Sequence, residues 1–215
     1  MIGLETVVAP LFSIQPLSWE APSPGNVDCV LLTSANAVRH AGPQLAAFTH
    51  LPCFAVGESS AAAAKSAGFA DVRTGDSDGA ALFELAAAAG MERPLHLCGR
   101  DHIPLCHPAL RVEKRISYAS EAVPALPGPA RHALRSGALA LLHSPRAGAL
   151  FRRLVDDAEL DRRRIAIAAL SENVAAAAGA GWKHIASAER PSDDALPELA
   201  AKLCQTGGSA TGIGG

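Results

Sequence analysis

The second half of the sequence repeats the first, and this repeat restricts the possible folds more than any other feature. Three segments of the first half have counterparts, in the same order, in the second half. The pairs are Leu31–Ala37 with Leu141–Ala147, Ala55–Ala61 with Ala169–Ala175, and Gly79–Leu85 with Asp193–Leu199. Matches in one order point to duplication, so we predict two similar lobes.

Short apolar runs alternate with amphipathic stretches, which is the pattern of parallel strands joined by crossover helices. We therefore predict an α/β fold with parallel sheets. The predicted strands are Thr6–Val8, Cys29–Leu32, Cys53–Val56, Leu95–Cys98, Val112–Tyr118, Ala138–Leu142, Ile165–Ala169 and His184–Ser187. The predicted helices are Ser34–Ala47, Ser59–Ala67, Ala80–Ala89, Pro129–Ser136, Ser144–Asp156, Glu172–Ala178 and Asp193–Cys204.

Two proline-rich stretches, Pro10–Pro24 and Val123–Pro129, interrupt this alternation. We interpret them as paired crossings between the lobes. One lobe is then continuous, residues 12–122, and the other joins residues 1–11 to residues 123–205. The tail, residues 206–215, is rich in Gly, Ser and Thr and is predicted to be disordered.

Charge and composition exclude several classes of protein. The formal net charge is -2, so the whole molecule does not attract nucleic acid and any anion site must be local. The five cysteines include no C-x-x-C pair, which favours reduced thiols and a cytoplasmic location. Residues Met1–Glu5 do not resemble a signal peptide, and no apolar run is long enough to span a membrane. We expect a soluble cytoplasmic protein.

Small hydroxyl residues follow apolar strands at several points. Ser34 and Ser144 each precede a helix, where a serine hydroxyl accepts a hydrogen bond from a free N–H. Thr33 lies beside Ser34, Arg146 lies near Ser144, and Ser59–Ser60 opens another helix. Capping alone explains one such serine. Ligands of open parallel sheets, however, bind at the carboxyl ends of strands, and helix N-termini bind anions.

Three further features have a functional and a structural interpretation. In the functional interpretation, Gly99 lets a ligand approach the backbone and Arg100 binds the negative charge of that ligand. In the structural interpretation, Gly99 and Arg100 form a tight turn with an Arg100–Asp101 ion pair on the surface. Tyr118, the only tyrosine, is either a donor in a cleft or a half-buried strand residue. A cluster of histidines and cysteines suggests a metal site. Its spacing fits no zinc pattern, so we predict no metal. The cluster is His96, Cys98, His102, Cys106 and His107.

In order and spacing these motifs resemble those of the uroporphyrinogen-III synthase family, from about Gly3 to Leu203. The motifs are Leu32–Arg39, Ala55–Ala62, Gly99–Arg100, Tyr118, His143–Arg146 and Ala188–Ser192. The resemblance implies two flavodoxin-like lobes, a two-stranded connector and an active site in the cleft between the lobes. It also implies that hydroxymethylbilane is cyclised to uroporphyrinogen III with loss of water and inversion of ring D, without cofactor or metal.

The resemblance further implies roles for individual residues. Tyr118 would be catalytic, assisting departure of the hydroxyl group. Where the family has Gly-x-Thr-Thr, this chain has Ser171–Val174, so a hydroxyl comes from Ser171 and an amide from Asn173. The predicted residues that bind the carboxylate-rich linear tetrapyrrole are Thr33, Ser34, Ser60, Gly99, Arg100, Ser144, Arg146, Ser171 and Asn173.

The beginning of the chain departs from the family pattern. Members have a strand and a helix before the segment that corresponds to Leu4–Pro10, and this chain begins at that segment. Loss of a central strand would expose apolar surface, so an inactive or sensory anion-binding protein with the same fold is the alternative function. We expect a monomer with a small-molecule substrate and no nucleic-acid or membrane partner.

Overall fold

The structure is a computed structural model that describes residues 5–75, 78–190 and 194–208, the last four by their backbone alone. The strands in this part of the chain are β1 (Phe12–Pro16), β2 (Cys29–Leu32), β3 (Cys53–Val56), β4 (Val72–Gly75), β5 (Pro94–Gly99), β6 (Glu113–Ala122), β7 (Leu139–Leu142), β8 (Ala166–Ala169) and β9 (His184–Ser187). The α-helices are α1 (Ala35–Arg39), α2 (Gly57–Ser66), α3 (Gly79–Ala88), α4 (Gly128–Arg135), α5 (Pro145–Asp157), α6 (Glu172–Ala178) and α7 (Ala195–Gly208).

The chain divides into two compact units. Unit 1 comprises Met1–Phe12 and Ala122–Gly215, and unit 2 comprises Ser13–Glu121. The chain therefore passes between the units twice, once within β1 and once within β6. The first passage lies inside the proline-rich stretch Pro10–Pro24, whereas the second lies just before Val123–Pro129.

The larger sheet has the strand order β1-β6-β5-β2-β3-β4. Strands β2 to β6 pair in parallel. The Leu17 N–H donates to the Ser117 carbonyl and the Val123 N–H donates to the Leu11 carbonyl, so β1 runs antiparallel to β6. Numbered from β2, the parallel strands have the order 3-2-1-4-5. A flavodoxin-like sheet has the order 2-1-3-4-5. The predicted α/β fold with a parallel sheet is confirmed, but this strand order differs from the flavodoxin-like one.

Unit 2 has helices on both faces of its sheet. Val30 and Leu32 of β2 are fully buried in one core together with side chains of α1 and α2. Cys29 and Leu31 are fully buried in a second core with side chains of α3. Successive strand residues point to opposite faces, so this split follows directly from the continuous apolar run of β2.

Unit 1 contains a smaller parallel sheet with the order β7-β8-β9. Its core joins Ile167 and Ala169 of β8 to apolar side chains of α5 and α6. The two helices lie close together at Gly148, where a Cβ atom would be 2.9 Å from the Val174 carbonyl oxygen and 3.1 Å from the Ala178 nitrogen. Only glycine fits this crossing.

Most predicted elements are present, and four have the predicted bounds. These four are Cys29–Leu32, Cys53–Val56, His184–Ser187 and Glu172–Ala178. The predicted strand Thr6–Val8 is wrong, because these residues lie outside regular structure and Val8 is 83% exposed. Strands β1 and β4 were not predicted.

The largest differences from the predicted helices are at the carboxyl ends of α1 and α7. The helix predicted over Ser34–Ala47 ends at Arg39, because Gly42 adopts a positive φ of 74° and Pro43 then begins a short 3-10 helix. Helix α7 runs to Gly208, into the predicted tail, and residues 209–215 lie outside the described part of the chain. No helix in the described ranges is long and apolar enough to cross a membrane.

Candidate functional site

The carboxyl edge of the unit 2 sheet has a topological switch point. From β2 the chain adds β3 and β4 on one side, then returns to add β5 and β6 on the other. The connections after β2 and β5 therefore leave in opposite directions, which opens a crevice where parallel sheets bind ligands. Thr33 and Ser34 follow β2, and Gly99 and Arg100 lie at the end of β5. Together with Tyr118 of β6, we call these residues the unit 2 site.

Ser34 caps the helix that begins at the switch point. Its hydroxyl accepts a hydrogen bond from the Asn36 N–H at 3.2 Å. This confirms the predicted N-cap. The contact occupies one lone pair of the hydroxyl oxygen and leaves its proton available for another acceptor.

Thr33 is linked to the neighbouring strand through a histidine. Its Oγ1 atom lies 3.3 Å from Nε2 of His96, which is 2% exposed. Burial, with help from the nearby His102 and Lys114, lowers the pKa of His96 from 6.5 to about 4. His96 is therefore neutral at pH 7. In the sequence, His96 stands out only as a member of the histidine and cysteine cluster, and no local pattern predicts this contact.

His102 extends the polar cluster away from His96. Its Nδ1 atom lies 2.9 Å from the Gly99 carbonyl oxygen, and Nε2 lies 3.2 Å from Nζ of Lys114. A carbonyl oxygen only accepts, so Nδ1 carries the proton and Nε2 accepts from Lys114.

Burial raises the pKa of the Cys98 thiol to about 11, so it stays protonated at neutral pH.

The described residues contain no group of three or more histidines, cysteines or acidic residues that could hold a metal ion. Of the histidine and cysteine cluster, His96 contacts Thr33, His102 contacts Gly99, and His107 lies 3.2 Å from the Glu84 carboxylate. Cys106 is exposed and Cys98 is buried. Separate partners hold these side chains in different directions.

The Tyr118 ring lies directly over Gly99. A Cβ atom on Gly99 would be 2.6 Å from Cζ and 2.9 Å from Oη of Tyr118. The two residues are register partners at an irregularity in the β5–β6 pairing, and the Arg100 N–H donates to the Tyr118 carbonyl at 2.9 Å. The space over Gly99, expected to admit a ligand, is filled by the Tyr118 ring.

Arg100 is paired with acidic side chains. Its Nη1 atom lies 2.8 Å from Oε1 of Glu121, and its Nε lies 3.8 Å from Oδ1 of Asp101. All three side chains are about half exposed. The surface-pair interpretation of Arg100–Asp101 is thus present in the structure, and a substrate carboxylate would have to compete with Glu121.

Ser60 lies in helix α2, which follows β3, the strand next to β2. Helix α2 begins at Gly57, which has a φ of 68°, directly after β3. The predicted helix start at Ser59 is therefore late by two residues. Ser60 lies in the first turn and is buried, whereas Ser59 is exposed.

Unit 1 presents a corresponding set of residues at the carboxyl edge of its own sheet. Ser144 follows β7 and caps α5, accepting from the Ala147 N–H at 3.2 Å. Arg146 stacks over the Phe12 ring, with 4.5 Å between its guanidinium carbon and the ring centroid. Ser171 stands at the N-cap of α6 without a capping side-chain bond, and Asn173 is exposed in the first turn.

The polar groups at both edges are mainly neutral hydrogen-bond donors. Hydroxyl groups and backbone N–H groups at helix starts bind carboxylates through hydrogen bonds and carry no charge themselves. Such a set suits binding and orientation of an anion.

The sequence model of one protein family, described as Uroporphyrinogen-III synthase HemD, matches residues 2–198. The chain belongs to the uroporphyrinogen-III synthase family. Its function is accordingly that of an enzyme of haem biosynthesis. The match covers all of the motifs on which the resemblance was based, and it gives no support to an inactive or sensory protein.

The chain matches solved structures of uroporphyrinogen-III synthases, and one of them shows the similarity in fold. The enzyme from Helicobacter pylori is 18% identical, with a TM-score of 0.63 over 94% of each chain. A mutant enzyme from the extremely thermophilic bacterium Thermus thermophilus is 17% identical, with a TM-score of 0.46, and the alignment covers 92% of this chain and 88% of that one. Comparison with curated proteins finds no match.

The structure brings the site residues predicted for a uroporphyrinogen-III synthase to the carboxyl edges of the two sheets. Unit 2 carries Thr33, Ser34, Ser60, Gly99, Arg100 and Tyr118. Unit 1 carries Ser144, Arg146, Ser171 and Asn173. Of the predicted motifs, Pro191–Ser192 lies outside the described residues.

Proposed function

We propose that this chain acts as a cyclising hydro-lyase that converts hydroxymethylbilane to uroporphyrinogen III and water. The proposal rests on family membership over residues 2–198 and on the neutral donors at the two sheet edges. The finer architecture belongs to the same proposal: two α/β lobes joined by a two-stranded connector, with the substrate bound by both. We also propose that the enzyme is a cytoplasmic monomer that needs neither cofactor nor metal.

The substrate explains why neutral donors dominate. Its pyrrole rings carry acetate and propionate groups, and each carboxylate accepts hydrogen bonds from hydroxyl, amide and guanidinium groups. The switch point of unit 2 offers Thr33 and Ser34, and the start of α5 in unit 1 offers Ser144 and Arg146. The carboxylates on several rings allow one substrate to use donors from both sets.

The chemistry is mainly a problem of orientation. The hydroxymethyl carbon loses water readily and gives an electrophilic azafulvene. The substituted carbon of the terminal ring must then attack this electrophile first and form a spiro intermediate. The bond from that carbon to its original methylene bridge then breaks, and the free α-carbon of the same ring bonds to that bridge and loses its proton, which leaves the ring inverted. An enzyme that holds the bilane in that geometry accelerates this route without a strong acid or base. Tyr118 would donate a hydrogen bond or a proton to the departing hydroxyl.

Steady-state kinetics with freshly generated hydroxymethylbilane test the binding residues. Replacing Ser144 with alanine removes a donor and a helix cap, and we expect KM to rise about tenfold while kcat changes little. Ser136→Ala is the matched control, because Ser136 is exposed at the end of α4 and precedes the opposite end of β7. Equal KM values for both variants would contradict the assignment of Ser144. Circular dichroism checks that each variant is folded.

A further inference from the structure

The hydrogen bond between Thr33 and His96 spans the switch point of unit 2. Thr33 follows β2, His96 lies on the adjacent strand β5, and the register pairs Leu31 with His96. The two side chains therefore lie on the same face of the sheet, with Oγ1 and Nε2 3.3 Å apart. This contact joins a predicted binding hydroxyl to a residue with no assigned role.

Packing holds the His96 ring in one orientation. Phe83 meets the ring edge-on, with 5.3 Å between centroids and an interplanar angle of 90°. The His102 ring lies at 88° to it on another side, 6.3 Å away. A buried ring in this setting has little freedom to rotate. The direction of its Nε2 atom toward Thr33 is thus set by the core.

We propose that His96 is a positioning residue that carries its proton on Nε2. This N–H donates a hydrogen bond to Oγ1 of Thr33, and the Thr33 hydroxyl proton is then free to bind a substrate carboxylate. This inference rests on the proposed function. It adds a physical reason why the switch point would bind an anion: the Thr33 hydroxyl is oriented to donate a hydrogen bond.

The number of available protons decides which group can donate to the substrate. A threonine hydroxyl has one proton, and a carboxylate can only accept. If His96 accepted that proton, Thr33 would offer lone pairs to the substrate and repel a carboxylate. If His96 donates, Thr33 becomes a donor toward the crevice. Burial keeps the imidazole neutral at pH 7 because the pKa of His96 is lowered to about 4.

Nuclear magnetic resonance of the histidine side chains tests the tautomer without substrate. Long-range proton–nitrogen correlations on the full chain, labelled with 15N-histidine, distinguish a proton on Nε2 from one on Nδ1. The His96 signals are identified by their loss in His96→Gln. We expect the Nε2–H tautomer at pH 7. The Nδ1–H tautomer would overturn the inference.

Kinetics test the consequence for substrate binding. In His96→Leu the donor is lost, and we expect KM to rise about tenfold with kcat within a factor of two. In His96→Gln an amide N–H replaces the Nε2–H, and KM should return to within about threefold of the original value. In a Thr33→Val background, His96→Leu should have no further effect on KM.

The outcomes separate this inference from the proposed function. If the unchanged chain forms no type III product, the proposed function fails, and this inference fails with it. If the unchanged chain is active and His96→Leu has the same KM as the unchanged chain, His96 does not act through Thr33. The same holds if His96→Leu raises KM by an equal factor in the original chain and in the Thr33→Val background. A role confined to packing predicts no rescue by glutamine.

Discussion

At the scale of single residues, the proposed chemistry depends most on the Tyr118 hydroxyl. Tyr118→Phe removes only the donor, and we expect kcat for hydroxymethylbilane to fall roughly 10- to 100-fold with KM retained. Gly99→Ala is the companion variant, because its Cβ atom would lie 2.6 to 2.9 Å from Tyr118 atoms and displace the ring. Its kcat should fall similarly. Full activity of Tyr118→Phe would remove the proposed role.

The buried His96 makes stability depend on pH. Its pKa is about 4 in the folded chain and 6.5 ordinarily, so between these values the unfolded chain binds the extra proton. The free energy of unfolding therefore falls as pH drops from about 6.5 to 4, by at most about 3 kcal/mol. Denaturant unfolding followed by Trp19 fluorescence, in a Trp182→Phe background, measures this change.

The control for this measurement is His96→Gln, which cannot titrate in that range. Its free energy of unfolding should depend less steeply on pH than that of the original chain, because the contribution of His96 is missing. Identical pH dependence in both proteins would show that His96 is not buried as a neutral group. The depressed pKa, attributed to burial, His102 and Lys114, would then be wrong.

At the scale of elements, the crossing of α5 and α6 depends on Gly148. In Gly148→Ala the new Cβ would meet backbone atoms of α6, which cannot rotate away. We expect a loss of about 1 to 2 kcal/mol, since the overpacking cost exceeds the helix-propensity gain of about 1 kcal/mol. Trp182 fluorescence during urea unfolding, in a Trp19→Phe background, reports on unit 1.

The matched control is Gly128→Ala at the start of α4. Gly128 is exposed, and a Cβ atom there would meet nothing within 4 Å. Its free energy of unfolding should be unchanged or slightly higher. Equal free energies of unfolding for the two variants would contradict the close approach of α6 to Gly148.

Elements with strong local signals could be predicted from the sequence. The buried run of β2 and the serine caps of α1 and α5 depend on neighbouring residues. Strand β1 was missed because it ends at Pro16 within a proline-rich stretch, and an edge strand tolerates proline. Strand β4 was missed because it is a short edge strand with a single large apolar residue, Val72.

The candidate site shows the same division between local and distant information. Ser34 and Ser144 were predicted as caps from the residues around them. The contact of Thr33 with His96 joins residues 63 positions apart and depends on the register of β2 against β5. The Tyr118 ring over Gly99 likewise depends on the register of β5 against β6. No local pattern encodes either register.

At the scale of the whole molecule, the repeat places comparable groups at the carboxyl edges of two sheets. In each unit a strand ends and a serine caps the next helix. Hydroxyl or amide side chains also lie in the first turn of the helix that follows the adjacent strand. The copies have the same pattern of burial but differ in chemistry, because the buried Ser60 corresponds to the buried Val174, and the exposed Ser59 corresponds to the exposed Asn173. The two edges are therefore similar in layout and unequal in their hydroxyl groups.

The ring isomer formed from hydroxymethylbilane tests this account most directly. Freshly generated hydroxymethylbilane closes on its own to the type I isomer, whereas inversion of ring D gives type III. After oxidation of the products to porphyrins, chromatography separates the two isomers. With the protein present we predict that type III is the main product. If the protein leaves only type I, the proposed function is wrong.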